Sequence, residues 1–358
     1  MILEANSNRK KKGYPSGSLF FAPRRRFRFG TVLATLFLGA AAIGCAPSEK
    51  EDDGSISFAG EAQGTTFSVL YWPESSTPEA EVLADSVQRY LADFNRVASA
   101  WDSSSVLSRW NRGDAAVRAE SPDAFLALLE EGMRLKTYTN GWMDPAVGKY
   151  TTAWGFNGAK AVLGQGSPQS DSAVIQSLRE SSEPVYDVNA YAQGSSVDGI
   201  ARLLKRNGVK HALVEIGGEL YALGGKPDGR PFVVSVDYPA EERQEKPLEV
   251  VDLKDRGMAT SGDYRSAKKD PVTGRRYGHT LNPFTGWTGQ TDVLSATVFA
   301  RTAAEADGVA TALVAMGAGE AKKWLKAHPE CDALLVMGSA EGSWTVYRTP
   351  GVIPGKDL

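Results

Sequence analysis

The chain has 358 residues, 42% of them hydrophobic and 23% charged, which suits a packed globular protein of one large domain or two medium ones. Its net charge of −3 is uneven: residues 1–44 carry eight Lys/Arg and one acid, Glu4, leaving a body of 32 basic and 42 acidic residues at −10. Such a body lacks the basic footprint that nucleic acid needs, and two cysteines, Cys45 and Cys331, make neither a disulfide framework nor a structural zinc site.

The first element is an address. Arg24-Arg25-Arg26-Phe27-Arg28 precedes 14 uncharged, mostly apolar residues, 31–44. A basic run before a short apolar core reads as a signal peptide, and the core is short of the ~20 residues a spanning helix needs. Ala42-Ile43-Gly44-Cys45 resembles a bacterial lipoprotein cleavage site, which makes Cys45 the lipidated first residue. Arg24-Arg25-x-Phe27 also resembles a twin-arginine export signal. The alternative is an uncleaved anchor, since residues 29–48 are uncharged throughout. Both readings export the body, to the periplasmic face of a bacterial membrane. The polar residues after Cys45, up to 57, read as a flexible tether, and residues 58–350 as the functional domain.

In the body, residues 58–72 alternate as a strand pair around Gly64. Residues 79–97 have helical spacing, with Val82, Leu83, Val87, Tyr90, Leu91 and Phe94 on one face. A second helix covers 122–138 with Phe125, Leu126, Leu128, Leu129, Met133 and Leu135. A third covers 197–207, closed by Gly208. Residues 212–223 and 232–238 read as strands. A strand at 294–300 leads directly into a helix, and 333–337 with 343–348 form a closing hairpin. Helices and strands mix without a regular βαβ alternation, so the expected class is α+β: mixed or antiparallel sheets with packed helices.

Three segments carry chemistry. In the helix after residue 300, Thr302 and Glu305 form a capping box, so the helix starts at about Ala303. Asp307 and Thr311 then lie at i and i+4 on one face, flanked by Ala303, Ala304 and Ala310. A carboxylate and a hydroxyl are hard oxygen donors that suit Mg²⁺; the plain alternative is local hydrogen bonding. Tyr186-Asp-Val-Asn-Ala-Tyr-Ala-Gln-Gly-Ser195 leads into the third helix, and Gly194 and Ser195, placed just before its start, would offer backbone N–H groups to phosphate. His279-Thr-Leu-Asn-Pro-Phe-Thr-Gly286 sets one of only three histidines before a turn.

These segments belong to an ordered series. Gln63-Gly-Thr-Thr-Phe-Ser-Val, Trp101-Asp-x-x-Ser-x-Leu-Ser-Arg-Trp-Asn111, Met143-Asp-Pro-Ala-Val-Gly148 with Trp154-Gly-Phe156, and 187–198 come first. Glu215-Ile-Gly-Gly-Glu219, Thr260-Ser-Gly-Asp-Tyr-Arg265, 279–286 and 306–313 follow. The series resembles the ApbE-type FAD:protein FMN transferase family over nearly the whole body. The resemblance implies a T-fold-related catalytic domain that takes FAD as substrate and Mg²⁺ as cofactor. It implies that Asp307, Thr311 and the backbone carbonyl of Ala190 hold the magnesium. Gln63, Trp101, Trp142, Met143, Asp144, Asp187, Gln193 and Leu281 match flavin- or adenine-contacting positions. His279 matches a histidine that helps the acceptor hydroxyl lose its proton. Acceptors in the family are membrane-associated redox subunits. Gln193 stands where many relatives carry Lys, so Arg265, Lys149 or the metal must neutralise the diphosphate. Gln63 stands where Met is frequent.

The expected reaction is attack of a Ser or Thr hydroxyl on the FMN-side phosphorus of FAD, giving phosphoester-linked FMN and AMP. Two readings stay open beside it: an FAD pyrophosphatase, with water as the attacking group, and a flavin-binding lipoprotein without catalysis.

Overall fold

The computed structural model describes residues 49–50, 53–165, 167–239, 247–262, 268–269, 276–288, 291–338 and 343–355. The leader, Cys45 and Arg265 lie outside the described residues. The N-terminal half holds strands β1 (Glu49–Lys50), β2 (Ile56–Ala62) and β3 (Thr65–Trp72). Helices α1 (Ala80–Ala98), α2 (Val106–Asn111), α3 (Ala115–Ala119), α4 (Asp123–Tyr138), α5 (Gly148–Ala153), α6 (Pro168–Glu180) and α7 (Ala192–Arg206) follow. Next come strands β4 (His211–Ile216), β5 (Glu219–Leu223), β6 (Phe232–Val236), β7 (Glu249–Leu253), β8 (Arg256–Gly262), β9 (Lys268–Lys269), β10 (Arg276–Tyr277) and β11 (Val293–Ala300). Helix α8 (Ala303–Ala327) and strands β12 (Asp332–Gly338) and β13 (Trp344–Arg348) close the chain.

Nine strands form one sheet in the order β1-β2-β3-β4-β5-β8-β11-β12-β13, and neighbours pair antiparallel throughout. The α+β expectation is met. Because side chains alternate across a strand, each strand feeds two cores. Val214, Ile216, Tyr221, Ala259, Ala296 and Val298 face the helices α1, α7 and α8. Leu213, Ala222, Met258, Phe299 and Leu334 face the opposite way, against the separate β6–β7 hairpin, which buries Phe232, Val234, Val251 and Leu253. A satellite cluster of Tyr150, Trp154, Leu163, Ile175 and Leu281 joins α5 and α6 to the loop after residue 279.

Several boundaries differ from the sequence reading. β1, Glu49–Lys50, pairs with the start of β2, which begins at Ile56 with Ser55 buried, so the sheet reaches into the stretch read as tether. Residues 212–223 are two strands, split by Gly217 and Gly218 at φ 64° and 113°, which only glycine adopts comfortably. Val82, Leu126 and Met133, counted among the apolar positions of these helices, are exposed at the margins of their stripes. The third helix begins at Ala192 rather than 197, after Tyr191, whose side chain makes no capping bond. Without a Ser, Thr, Asp or Asn cap, its start carried no sequence signal.

Helix α8 behaves as expected at its start. Thr302 Oγ1 accepts from Glu305 N at 3.1 Å. Asp198, reaching across from α7, takes the two preceding N–H groups: Oδ1 accepts from Ala303 N at 2.8 Å and Oδ2 from Ala304 N at 3.0 Å. The helix breaks at Gly317, φ 75°, and Asp292 Oδ1 accepts from Ala318 N at 2.7 Å, restarting it. No described helix is long and apolar enough to cross a membrane.

Candidate functional site

The site forms where the middle of α8 crosses the sheet. Gly257, Ala259 and Ser261 of β8 point toward the helices; a Cβ on Gly257 would lie 2.4 Å from Ala303 N, so the helix start rests on bare backbone there. Four residues on, Ser261 Oγ meets Thr311 Oγ1 at 3.1 Å. Asp307 lies one turn before Thr311, on the stripe shared with Ala303. Its side chain is 7% exposed, and Oδ2 accepts from Gly194 N at 3.1 Å. The i,i+4 pair therefore faces the sheet and the start of α7.

Gly194 corrects the sequence reading. It sits inside the first turn of α7, pressed on α8 so closely that a Cβ would lie 2.4 Å from Ala303 O. Its N–H is spent on Asp307, and Ser195 N donates to Tyr191 O at 2.9 Å. Those donors hold α7 to α8 instead of waiting for phosphate.

Two turns cover the first residues of α7. The β2–β3 turn is Gln63-Gly64, both at positive φ, as a two-residue hairpin of type I′ requires. Gln63 Nε2 donates to Ser196 Oγ. Gln193 lies against the β4–β5 turn, where a Cβ on Gly217 would come 3.0 Å from its Nε2. Immediately after that turn stands Glu219, 7% exposed, with Oε2 buried and without a hydrogen-bond partner among the described residues. The sequence series contained Glu219 but gave it no role.

The electrostatics are those of crowded, dry carboxylates. Burial raises the Asp307 carboxyl well above its usual range; Glu219 pushes it the same way, Asp198 adds to this, and the Gly194 N–H opposes. Burial, with Glu215 assisting, pushes Glu219 up to about 7. Asp198 is pushed up to about 6 by burial, against its two amide bonds. A divalent ion bound by oxygen would relieve this arrangement, and the donor set fits Mg²⁺: a carboxylate, a hydroxyl, and the carbonyl of half-buried Ala190 at the entry to α7. No group of three or more His, Cys, Asp or Glu able to hold a metal occurs among the described residues, so any such site draws on hydroxyl or carbonyl oxygen as well.

The remaining candidates differ in exposure and in partners. Trp101 is 66% exposed, its ring over Gly158. Trp142 is half-buried and meets Phe284 edge-on at 5.0 Å. Met143 is 2% exposed and belongs to the helix-side core, so its side chain offers no open surface. Asp144 accepts from Ala146 N at 2.9 Å and pairs with Lys136 at 2.8 Å. Buried Asp187 accepts from Thr151 Oγ1 at 2.6 Å and Asn189 N at 2.9 Å. Both carboxylates thus shape the turns that carry them. Lys149 Nζ donates to Ser181 O at 3.0 Å, so it is turned to a different task from the one its charge suggested.

His279 is exposed and opens the loop that ends at Gly286. That loop is stiff. Asn282 Oδ1 accepts from Phe284 N at 3.0 Å and Thr285 N at 3.2 Å, and Trp154 Nε1 donates to Gly286 O at 2.9 Å. Leu281, 7% exposed, bridges to Thr288 and packs on Trp154's cluster.

Comparison with known proteins follows the same stretch of chain. The family model described as "ApbE family" matches residues 63–335. An FAD:protein FMN transferase of Haemophilus influenzae is 31% identical over 301 residues, covering 79% of this chain and 86% of its own. The corresponding protein of Vibrio cholerae is 29% identical over 301 residues, covering 80% and 86%. Among solved structures, the flavin transferase ApbE from Vibrio cholerae superposes with a TM-score of 0.70 at 26% identity, covering 85% of this chain and 98% of that one. The Pseudomonas stutzeri flavinyl transferase ApbE in its apo form gives 0.68 at 27%, covering 85% and 95%.

Proposed function

The chain belongs to the ApbE family, and from that premise we propose that it is an Mg²⁺-dependent FAD:protein FMN transferase, attaching FMN through a phosphoester to a Ser or Thr of an acceptor protein and releasing AMP. The observation that carries the reading is the buried Asp307, one helical turn from Thr311, facing the start of α7 and the β4–β5 turn.

Asp307, Thr311 and the Ala190 carbonyl would hold the ion. When bound, Mg²⁺ supplies positive charge to the diphosphate of FAD. The acceptor oxygen forms a bond to the FMN-side phosphorus, the anhydride bond breaks, and AMP leaves with the electron pair. His279 takes the acceptor's proton, from a loop whose Asx turn and Trp154 anchor fix its base. Trp101 presents an open indole face to a flavin or adenine ring. Gln193 brings no charge to the diphosphate, and Lys149 is engaged at Ser181, so neutralisation rests mainly on the cation.

On the leader's pattern, the body is exported and held at the periplasmic face of a membrane by lipid on Cys45, where the acceptor is a subunit of a membrane redox complex. The test is incubation of the pure protein with FAD, Mg²⁺ and a candidate acceptor, followed by mass spectrometry. The acceptor should gain FMN on a Ser or Thr with one AMP released per transfer. AMP release at the same rate without acceptor would instead make this a pyrophosphatase.

A further inference from the structure

We propose that Glu219 is a second carboxylate of the cation site, its Oε2 directed at the ion that Asp307 and Thr311 hold. This rests on the Mg²⁺ reading above and extends it to a residue to which the sequence motifs assign no role.

Gly257, Ala259 and Ser261 alternate onto the helix-facing side of β8, and the α8 stripe of Ala303, Asp307 and Thr311 runs along them. The two ends are pinned: Ala303 lies on Gly257, and Thr311 on Ser261. Eight helical residues rise ~12 Å, and four strand residues rise ~13 Å, so the two rows stay in step and Asp307 comes over Ala259. On the neighbouring strand, Leu220 pairs with Met258 and Tyr221 with Gly257. One further step sets Glu219 opposite Ala259. Glu219 shares the parity of Tyr221, which packs into the helix-side core, whereas Leu220 packs into the other. Glu219 is therefore delivered beside Asp307, and it is the foremost neighbouring charge acting on that carboxylate.

What the side chain does there is unaccounted for by the described residues. Oε2 is buried with no hydrogen-bond partner among them. Glu215, the other acid of the same motif, is by contrast satisfied: Oε1 accepts from Gly218 N at 2.8 Å and Oε2 from Ser68 Oγ at 3.3 Å. A buried carboxylate oxygen without a donor is costly. A carboxylate with one unpartnered oxygen beside another carboxylate and a hydroxyl is the oxygen-rich setting that a hard divalent ion stabilises.

The experiment is a titration of the FAD-free protein with Mn²⁺, a paramagnetic stand-in for Mg²⁺, followed by electron paramagnetic resonance, with thermal unfolding measured alongside. Glu219→Gln should weaken Mn²⁺ binding by about 10- to 100-fold, the loss expected when a group supporting a metal is removed. It should also shrink the rise in Tm that Mn²⁺ gives the parent. Glu215→Gln, on the other sheet face, should bind within twofold of the parent. Mn²⁺ binding by Glu219→Gln within twofold of the parent overturns the proposal. So does an equal loss in Glu215→Gln, which would reduce the effect to long-range charge. If Glu219→Gln does not fold, Glu219→Asp decides: it keeps the charge and withdraws it by one methylene, so unchanged affinity overturns the proposal and weakened affinity supports it. Asp307→Asn separates the two levels. Loss of Mn²⁺ there with retention in Glu219→Gln sinks only the role of Glu219; retention in both sinks the cation site itself.

Discussion

The two faces of the nine-stranded sheet are built from different materials. The face under the β6–β7 hairpin buries Phe232, Val234, Val251, Leu253, Met258, Phe299 and Leu334, and the ionisable groups beside them are paired, Arg256 with Asp332 at 3.0 Å and Arg348 with Glu249. The face under α7 and α8 has an apolar core of its own, with Val197, Ile200, Val214, Ile216, Val298 and Val309, but it also buries Asp198, Glu219 and Asp307. The first follows the ordinary rule that apolar area removed from water stabilises the fold. The second violates it at three places within reach of one helix. Buried charges that do not pair with one another mark a place where stability is traded for chemistry. One fold can hold both because the pleat keeps them apart: Met258 and Ala259 are adjacent in sequence and serve opposite sides.

The comparison predicts opposite mutational signatures for the two faces. The largest effect belongs to Asp307→Ala, which should lower FMN transfer by at least ~100-fold, the scale of loss when one preorganised electrostatic group is removed from a reacting centre. Its thermal unfolding should change little, since deleting a dry carboxylate offsets the loss of the Gly194 N–H bond. Transfer within a few-fold of the parent would break the contrast. Phe232→Ala should do the reverse. It should cost about 3–5 kcal/mol of stability, the usual price of a large aromatic cavity, while protein still folded at low temperature transfers FMN at the parental rate. Chemical denaturation and steady-state transfer measure the two halves of that statement.

His279→Ala sharpens the picture within the polar side. It should slow transfer by about 10²- to 10⁴-fold, the range for a general base, with FAD affinity changed far less. Equal losses in fluorescence-measured FAD binding and in rate would remove its role as a base.

The pH dependence of stability should also separate the faces. Folded Glu219 holds its proton up to about 7, against an ordinary 4.5 when unfolded, so between those values the folded state binds more protons. Stability of the metal-free protein should therefore fall as pH rises through that window. Asp198 contributes in the same sense from 3.8 to about 6. Thermal unfolding of EDTA-treated protein should show a Tm declining from pH 4.5 to 7, and Mg²⁺ should flatten the decline. A metal-free Tm that climbs over that range would contradict the assignment. The smallest effect is expected for Thr302→Ala, which removes only the cap at the start of α8 and should cost about 1 kcal/mol with transfer nearly intact, as denaturant titration would show.

What the sequence disclosed was whatever local spacing encodes. Thr302 and Glu305 placed the start of α8, and the i,i+4 interval put Asp307 beside Thr311 on one face, without any knowledge of the sheet. The α+β class followed from the irregular order of strands and helices. The start of α7 escapes because Tyr191 offers no cap, and Gly194 accordingly reads from the sequence as an open anion donor. Asp198 and Glu219 escaped for a deeper reason. Asp198 works on a helix more than a hundred residues away, and Glu219 acquires a meaning only through the register of β5 against β8. Pairing across strands is not written in the spacing of either strand. Met143, a motif position, packs its side chain into the helix-side core, a placement that local spacing does not encode.

The inert residues under α8 therefore act as a shim. Gly257 lets the helix touch the sheet at one end, and Ala259, with a single methyl, sets the clearance under Asp307. A bulkier side chain at 259 would jack the helix off its track and widen the jaws of the proposed clamp, which should loosen its grip on a cation without altering any atom of the donor set.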